Sequence, residues 1–454
     1  MEFRSLPFGI AVAPRIFTKL MKVPMTLLRR LGVRLIVYLD DILIMNQSNQ
    51  KILSDLSTVL SILRGLGFLI NTNKSVMEPS QTMEFLGYTV NSKLLTLSLP
   101  KEKVEKIKNS SKLMLEHKKV SARDLAQLIG QLTATKSSCP SRSSALSQFT
   151  NIENKSPAFG GHYDHQIQLN EEVQNELHWW VTKLGSWNGK ALLRPEPHLT
   201  IQSDASLSGW GATCQQISIG GLWIDEEKSL HINQLELKAA MFAVQSYAKN
   251  LQNKHILIQM DNTTAIVYVN KMGGTVSKRL NSLTNQFWDW CLQRQLTITA
   301  DYIPGKSNVI ADWESRHYAD FSNWRLSPIL FKSLMKRIGP CNVDLFADRS
   351  NTHLNQYFSW KPDPQAKAVD ALLQSWREIK GYAFPPFCLI STCLAKVREE
   401  NSQIILITPV WQSQAWYPLL LQMSVDYPVL LPMSHNTVLS PMKEPHPLIL
   451  NKTH

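Results

Sequence analysis

The sequence predicts a multidomain protein of mixed α/β and α+β class, and three observations carry that expectation. The chain has 454 residues, which by length alone suggests roughly two to four domains. Between residues 196 and 320, short apolar strands alternate with helical stretches. Further upstream, two apolar runs flank a pair of aspartates, the pattern of a hairpin with an acidic tip. The composition, 44% hydrophobic and 19% charged, excludes disordered and fibrous classes.

Four blocks follow one another along the chain. In the first, residues 1–95, Arg34-Leu-Ile-Val-Tyr-Leu-Asp-Asp-Ile-Leu-Ile-Met45 reads as two strands around an acidic turn. Leu53, Leu56, Val59, Leu60, Leu63 and Leu66 then recur at helical spacing, and Gly65 and Gly67 mark the helix end. Glu84–Val90 is a further strand candidate. The second block, 96–150, is helical. Pro100 opens a lysine-rich helix, and Ser121 caps a second helix over Ala122–Thr135, with Asp124 in its first turn. Residues 136–160 are rich in Ser, Pro and Gly, so 151–195 is expected to be a linker or connection.

The third block, 196–320, runs strand (His198–Asp204), strand, strand, helix (Gln234–Asn250), strand (His255–Asp261), helices, strand (Leu296–Ile303), helix (Asn308–Arg316). The fourth, 325–454, is Pro-rich and less regular, with an apolar strand candidate at Ile404–Thr408.

Charge and cysteine usage narrow the partners. Lys plus Arg is 48 against 36 acids, a net charge of +12, which favours an anionic partner such as nucleic acid; a generally basic protein surface is the alternative. The six cysteines form no Cys-x-x-Cys or Cys/His cluster, so neither zinc nor a disulfide framework is expected. Reduced thiols imply an intracellular protein of cytoplasm or nucleus. Met1–Arg15 lacks the apolar core of a signal peptide, and no apolar stretch is long enough to span a bilayer, so no membrane partner is expected.

Four acids stand where chemistry is expected. Asp204 and Asp261 end apolar strands, Glu236 lies in the first turn of a helix capped by Asn233, and Asp312 follows Pro304-Gly-Lys-Ser-Asn-Val-Ile-Ala. Strand ends and helix starts can converge on one sheet edge. Four hard oxygen donors suit Mg²⁺, with Mn²⁺ as an alternative, and two such ions about 3.5–4 Å apart support phosphodiester cleavage. Taken singly, each acid reads more readily as a solvated surface charge or a cap.

Taken together they carry a resemblance. Ser203-Asp-Ala-Ser-Leu-Ser-Gly-Trp-Gly, Glu236-Leu-Lys-Ala, Met260-Asp-Asn-Thr-Thr-Ala and Ile303-Pro-Gly-Lys-Ser-Asn-Val-Ile-Ala-Asp look like the ribonuclease H domain of retrotransposons. The resemblance implies Mg²⁺-dependent cleavage of the RNA strand of an RNA–DNA hybrid, with Asp204, Glu236, Asp261 and Asp312 as catalytic, metal-binding acids. One departure is Tyr302, where relatives usually carry His before Ile-Pro-Gly; it touches turnover rather than metal binding.

The first block resembles the palm of a reverse transcriptase, an RNA-directed DNA polymerase. Tyr38-Leu-Asp-Asp carries the match with Leu6-Pro-Phe-Gly-Ile, Ala13-Pro-Arg-Ile-Phe, Gly67-Phe-Leu-Ile-Asn-Thr-Asn-Lys-Ser and Phe85-Leu-Gly-Tyr. The resemblance implies that Asp40 and Asp41 bind catalytic metal, that Lys74 is the basic residue following that pair, and that Phe85, Leu86 and Gly87 form a primer grip. The 96–150 helices become a thumb whose Lys101, Lys103, Lys106 and Lys108 track template-primer phosphates, or simply a solvated helix face. The family's fingers and a third catalytic Asp precede the Leu-Pro-Phe-Gly segment, and Met1 lies five residues before it. The chain is therefore expected to be N-terminally truncated and not to copy RNA alone; a full-length reverse transcriptase is a possible partner.

The wording of both blocks is closest to the DIRS group of retrotransposons. Val343-Asp-Leu-Phe-Ala-Asp-Arg, Asn355-Gln-Tyr-Phe-Ser-Trp and Tyr382-Ala-Phe-Pro-Pro-Phe resemble the segment after ribonuclease H in that group, which is itself similar to phage-type adenine methyltransferases. In those enzymes the loop begins with Asp or Asn, which accepts from the target amino group. Phe384 cannot, so this segment is expected to be inactive. The alternative to the enzyme reading is a catalytically inactive nucleic-acid-binding remnant.

Overall fold

A computed structural model describes residues 10–117, 119–135, 166–193, 196–273, 277–317 and 323–450. They fall into two compact units, residues 10–193 and residues 196–450.

The first unit opens with helix α1 (Ala13–Arg30), the antiparallel hairpin β1 (Arg34–Tyr38) and β2 (Asp41–Met45), and helix α2 (Asn49–Gly65). Ser48 caps α2 and accepts from the Lys51 amide. Gly67, at φ +85°, turns the chain after it. Met21, Met25 and Leu28 of α1 pack with Val33, Leu35, Val59 and Leu63 in one apolar core. The expected strand Glu84–Val90 is instead a hairpin of β3 (Thr82–Phe85) and β4 (Tyr88–Asn91). Leu86 and Gly87 have φ of +50° and +75°, which reverses the chain in two residues; an apolar pattern does not reveal such a reversal. Strand β5 (Thr96–Ser98) joins this sheet.

A second core forms around α3 (Lys101–Glu116) and, after β6 (Lys119–Ser121), α4 (Ala122–Ala134). Ser121 caps α4 as expected. The linker expected over 151–195 is corrected for the residues described from 166 onward. They hold β7 (Gln166–Gln168), paired with β6, then α5 (Glu171–Trp187), and β8 (Lys190–Ala191), which completes the order β3-β4-β5-β8. Val173, Leu177, Trp180 and Leu184 are each fully buried, an apolar stripe at helical spacing that closes the core of the preceding helices. The Ser/Pro/Gly-rich stretch 136–160 lies outside the described residues.

The second unit holds a five-stranded sheet of β9 (Leu199–Ala205), β10 (Gly209–Cys214), β11 (Ile217–Leu222), β12 (His255–Met260) and β13 (Thr297–Tyr302), in the order β11-β10-β9-β12-β13. Strands β9, β12 and β13 run parallel, and the other two pair antiparallel. Helices α6 (Ile232–Tyr247), α7 (Thr263–Asn270), α8 (Lys278–Gln293) and α9 (Val309–Arg316) intervene in the order the sequence predicts. Ile201, Ala212, Leu237, Ala240, Val244, Ile256, Ile258 and Phe287 are fully or almost fully buried between sheet and helices.

Residues 323–450 belong to the same unit rather than standing as a separate block. They comprise β14 (Arg325–Leu326), α10 (Pro328–Ile338), β15 (Val343–Asp344), β16 (Phe358–Ser359), β17 (Ala368–Val369), β18 (Gly381–Ala383), α11 (Ile390–Glu400), β19 (Ile404–Leu406), α12 (Trp416–Met423) and β20 (Val438–Leu439). Strands β15, β18 and β19 form a small parallel sheet over the buried Trp376. Among the described residues, no helix is long and apolar enough to cross a membrane.

Candidate active site

Strands β9 and β12 are parallel neighbours, so their carboxyl ends emerge at one edge of the sheet. Asp204 is the penultimate residue of β9, and Asp261 directly follows β12. Helix α6 begins beside that edge. Its cap is His231, whose Nδ1 accepts from the Asn233 amide while the Gln234 side chain accepts from the His231 amide. The expected Asn233 cap is thereby corrected: the Asn233 side chain accepts from Asn262 Nδ2 at 3.0 Å, tying α6 to the β12–α7 turn. Glu236 accordingly lies one residue beyond the first helical turn. Ligand oxygens of Asp204, Glu236 and Asp261 all lie within 4.8 Å of one another.

The electrostatics of this group suit a cation. Asp204 and Glu236 are buried, at 5% and 6% exposure. Burial, reinforced by the charges of Asp261 and Asp312 and opposed by a Ser315 hydrogen bond, lifts Asp204 to about 6. Burial and then the charges of Asp204 and Asp261 lift Glu236 to about 9. Glu236 Oε2 is buried without a hydrogen-bond partner. An unsatisfied buried carboxylate oxygen facing two further carboxylates is costly unless a proton or a hard cation takes it up, and all three donors are of the oxygen type that Mg²⁺ and Mn²⁺ accept.

Asp312, the fourth expected ligand, is not drawn into the group. It lies on α9, half-exposed, and its Oδ1 takes Arg316 Nη2 at 2.6 Å and Nε at 2.8 Å. The i,i+4 spacing of opposite charges on an exposed helix face explains the pairing. Helix α9 nonetheless lies close to the strand end, because β10 and β11 present glycines beneath it. A Cβ on Gly211 would come within 2.2 Å of the Ala311 carbonyl oxygen, and one on Gly220 within 2.8 Å of the Glu314 carbonyl oxygen.

Three further residues organise the site, and the sequence reading gave them no role. Ser315 Oγ donates to Asp204 Oδ2 at 2.8 Å. The fully buried Asn308 donates through Nδ2 to the Ser203 carbonyl at 3.0 Å, anchoring the loop before α9 to β9. Gly305 packs so closely that a Cβ there would lie 3.0 Å from Asp261 Oδ2. Ser315 is one turn from Asp312 on a helix already singled out, so helical periodicity was the available signal. Tyr302, in the place of the expected His, is 58% exposed at the end of β13.

The first unit presents its expected residues differently. Asp40 and Asp41 are exposed at the β1–β2 tip, where Leu39 takes φ +54°, a strained value for a branched side chain. Lys74 ends a short 3₁₀ turn and is exposed. Phe85, Leu86 and Gly87 form the β3–β4 turn. Lys101 is exposed, whereas Lys103 Nζ donates to the Gly87 carbonyl at 2.9 Å and is thus committed to that turn.

Fold and site together define a class: a mixed five-stranded sheet carrying, at one strand edge, a carboxylate cluster that could hold a metal ion. The comparisons add sequence kinship. Residues 1–90 match the family model described as "Reverse transcriptase (RNA-dependent DNA polymerase)". The chain is 25% identical over 341 residues to the "Enzymatic polyprotein" of Figwort mosaic virus (strain DxS), covering 70% of this chain and 46% of that protein. It is 24% identical over 338 residues to the "Enzymatic polyprotein" of Cauliflower mosaic virus (strain D/H), again covering 70% and 46%. The chain spans less than half the length of these curated relatives.

Among solved structures, a foamy viral protease-reverse transcriptase in complex with double-stranded DNA aligns at a TM-score of 0.37 and 16% identity, covering 66% of this chain and 51% of that one. RNase H1 from Halobacterium salinarum NRC-1 aligns at 0.22 and 16% identity, covering 26% and 92%. The family match gives residues 1–90 a likeness to reverse transcriptases, and the polyprotein relatives extend sequence similarity over 341 residues.

Proposed function

We propose that the chain is a retroelement-derived reverse transcriptase/ribonuclease H protein whose second unit cleaves the RNA strand of RNA–DNA hybrids. One observation carries the reading: the oxygens of Asp204, Glu236 and Asp261 lie within 4.8 Å of one another, and the buried Glu236 Oε2 has no partner. Bound Mg²⁺ or Mn²⁺ would supply charge neutralisation at the scissile phosphate and an activated water. The chain's own residues do the positioning. Asp204, Glu236 and Asp261 would hold the ion, with Asp204 oriented by Ser315. Asp312, held by Arg316, adds negative charge beside the strand end. Hybrid recognition through phosphates and 2′-hydroxyls calls for little sequence preference.

The same reading assigns Asp40, Asp41, Lys74, Phe85, Leu86, Gly87 and Lys101 to template-primer contact, with Lys103 fixing the Gly87 turn. It includes descent from a DIRS-type element and a methyltransferase-like origin for residues 325–454. There Phe384, partly buried in an apolar cluster, stands where an amino-group acceptor would be needed.

The test is incubation of the purified chain with 5′-labelled RNA annealed to DNA, in Mg²⁺, beside Asp261→Asn. Cleavage by the parent and none by the variant is the expected outcome. A folded parent that binds hybrid without cutting it would instead establish the binding-remnant reading.

A further inference from the structure

A buried ion cluster joins residues 323–450 to the sheet domain. Glu227, in the loop before α6, is 3% exposed. Its Oε1 meets Lys238 Nζ of α6 at 2.6 Å and also Arg349 Nη2 from the C-terminal segment. Its Oε2 accepts from the Ile224 amide at 3.2 Å. Burial raises the Glu227 carboxyl, but Arg349 and Lys238 outweigh it and hold the group below its ordinary value. A charged, buried carboxylate with two cations is strongly destabilised if one cation is removed.

Arg349 does more than neutralise. Its guanidinium lies 4.6 Å from the ring centroid of Phe242, a residue of α6 that is 1% exposed. Phe242 packs edge-on against Trp210 at 5.4 Å. Trp210 is on β10, directly opposite Ala205, the neighbour of Asp204. The backbone around Arg349 is fixed by hydrogen bonds, while its Nε and Nη1 are buried without a partner. Asp348 accepts from the amides of Ser350 and Asn351 and from Asn323, and the Arg349 amide donates to Asp363 Oδ2 at 3.1 Å. A guanidinium from outside the sheet domain thus meets Glu227, which in turn pairs with Lys238 of α6, and lies against Phe242, six residues along α6 from Glu236.

We infer that Arg349 is a positioning residue for the carboxylate cluster: through Glu227 and Phe242 it holds α6 so that Glu236 meets Asp204 and Asp261. The inference rests on the nuclease reading and makes the C-terminal segment part of that unit's working structure. Arg349→Met removes the charge and the bidentate-capable plane while keeping an apolar stem. It is expected to weaken Mn²⁺ binding, followed by electron paramagnetic resonance titration, by about tenfold, the scale of loss when a supporting shell is removed. In chelator, amides of α6 should exchange faster than in the parent. Arg349→Lys, which can still reach Glu227, should recover part of both losses, and it gives the reading if Arg349→Met does not fold. Mn²⁺ affinity and α6 exchange both equal to the parent's would overturn the inference. A parent that neither binds Mn²⁺ nor cuts hybrid would remove the nuclease reading, whereas the exchange comparison needs no metal and decides separately whether Arg349 holds α6.

Discussion

At the scale of single residues, the carboxylate cluster is held in a conflict that its surroundings do not resolve. Asp204 and Glu236 are buried beside Asp261; Ser315 and the Ala205 amide supply no positive charge, and Arg316, which lowers Asp204 in part, is committed to Asp312. Removing one negative charge should therefore help the metal-free chain. Asp261→Asn is expected to melt a few degrees higher than the parent in chelator, since about 1 kcal/mol moves the midpoint of a unit this size by roughly 2–4 °C. It should also lose the rise in melting temperature that Mg²⁺ gives the parent. A variant that melts lower in chelator and still responds to Mg²⁺ would count against a cation site. Asp344, far from this cluster in chain order, makes a second case. It is 2% exposed, accepts from the His353 amide at 3.1 Å, and burial lifts it to about 7, with Arg325 partly opposing and Tyr382 and Cys341 nearby. The folded carboxyl lies above its unfolded value, so its contribution to stability is full below about pH 4 and is lost as pH climbs through about 7. Asp344→Asn should flatten the melting temperature between those limits and exceed the parent's above them. Equal pH slopes for the two proteins would show that Asp344 is not the responsible group.

Among elements, α9 depends on what β10 and β11 lack. Glycines at 211 and 220 leave the strand surface bare, so the helix backbone comes down where a side chain would stand. At Gly211 the obstructing atoms are the Ala311 carbonyl oxygen and the Ser315 amide at 2.5 Å, both backbone, so neither can swing aside. Gly211→Ala should lift α9, cost about 1–3 kcal/mol or more, and abolish cleavage as Ser315 leaves Asp204. Gly130 supplies the contrast: it lies within α4, and nothing approaches a Cβ there within 4 Å. Gly130→Ala should raise stability by roughly 0.5–1 kcal/mol through helix propensity. Denaturant midpoints of the two variants check both statements, and equal effects at the two positions would contradict the glycine-bed argument.

For the whole molecule, the governing quantity is charge. A net +12 favours polyanions as partners, and each phosphate neutralised would release a counterion. Binding to an RNA–DNA hybrid, measured in Ca²⁺ to suppress turnover, should weaken steeply and log-linearly as NaCl rises. Binding indifferent to salt would mean that the basic excess is not on the hybrid-facing surface. The two compact units carry the two expected chemistries separately, Asp40 and Asp41 in one and the Asp204 cluster in the other. Metal-dependent changes from Asp261→Asn are thus expected to be confined to the unit of residues 196–450.

The strand and helix order of 196–317 was legible in the sequence because it rests on local periodicity, alternation in strands and a 3.6-residue stripe in helices. Asp204 and Asp261 were legible for a related reason, since apolar strands ending in Asp mark a sheet edge, and Glu236 because a helix start can converge on that edge. The helix over Glu171–Trp187 was not legible from composition, because the Ser-rich stretch before it masked the stripe of Val173, Leu177, Trp180 and Leu184. Tertiary structure alone decided that Asp312 turns to Arg316, that His231 rather than Asn233 caps α6, and that Lys103 closes on the Gly87 turn. It alone also brought Arg349 to Glu227, 122 positions apart in sequence. Periodicity describes how a segment relates to itself, whereas the partner of a charge or a cap is set by which segments the fold makes neighbours.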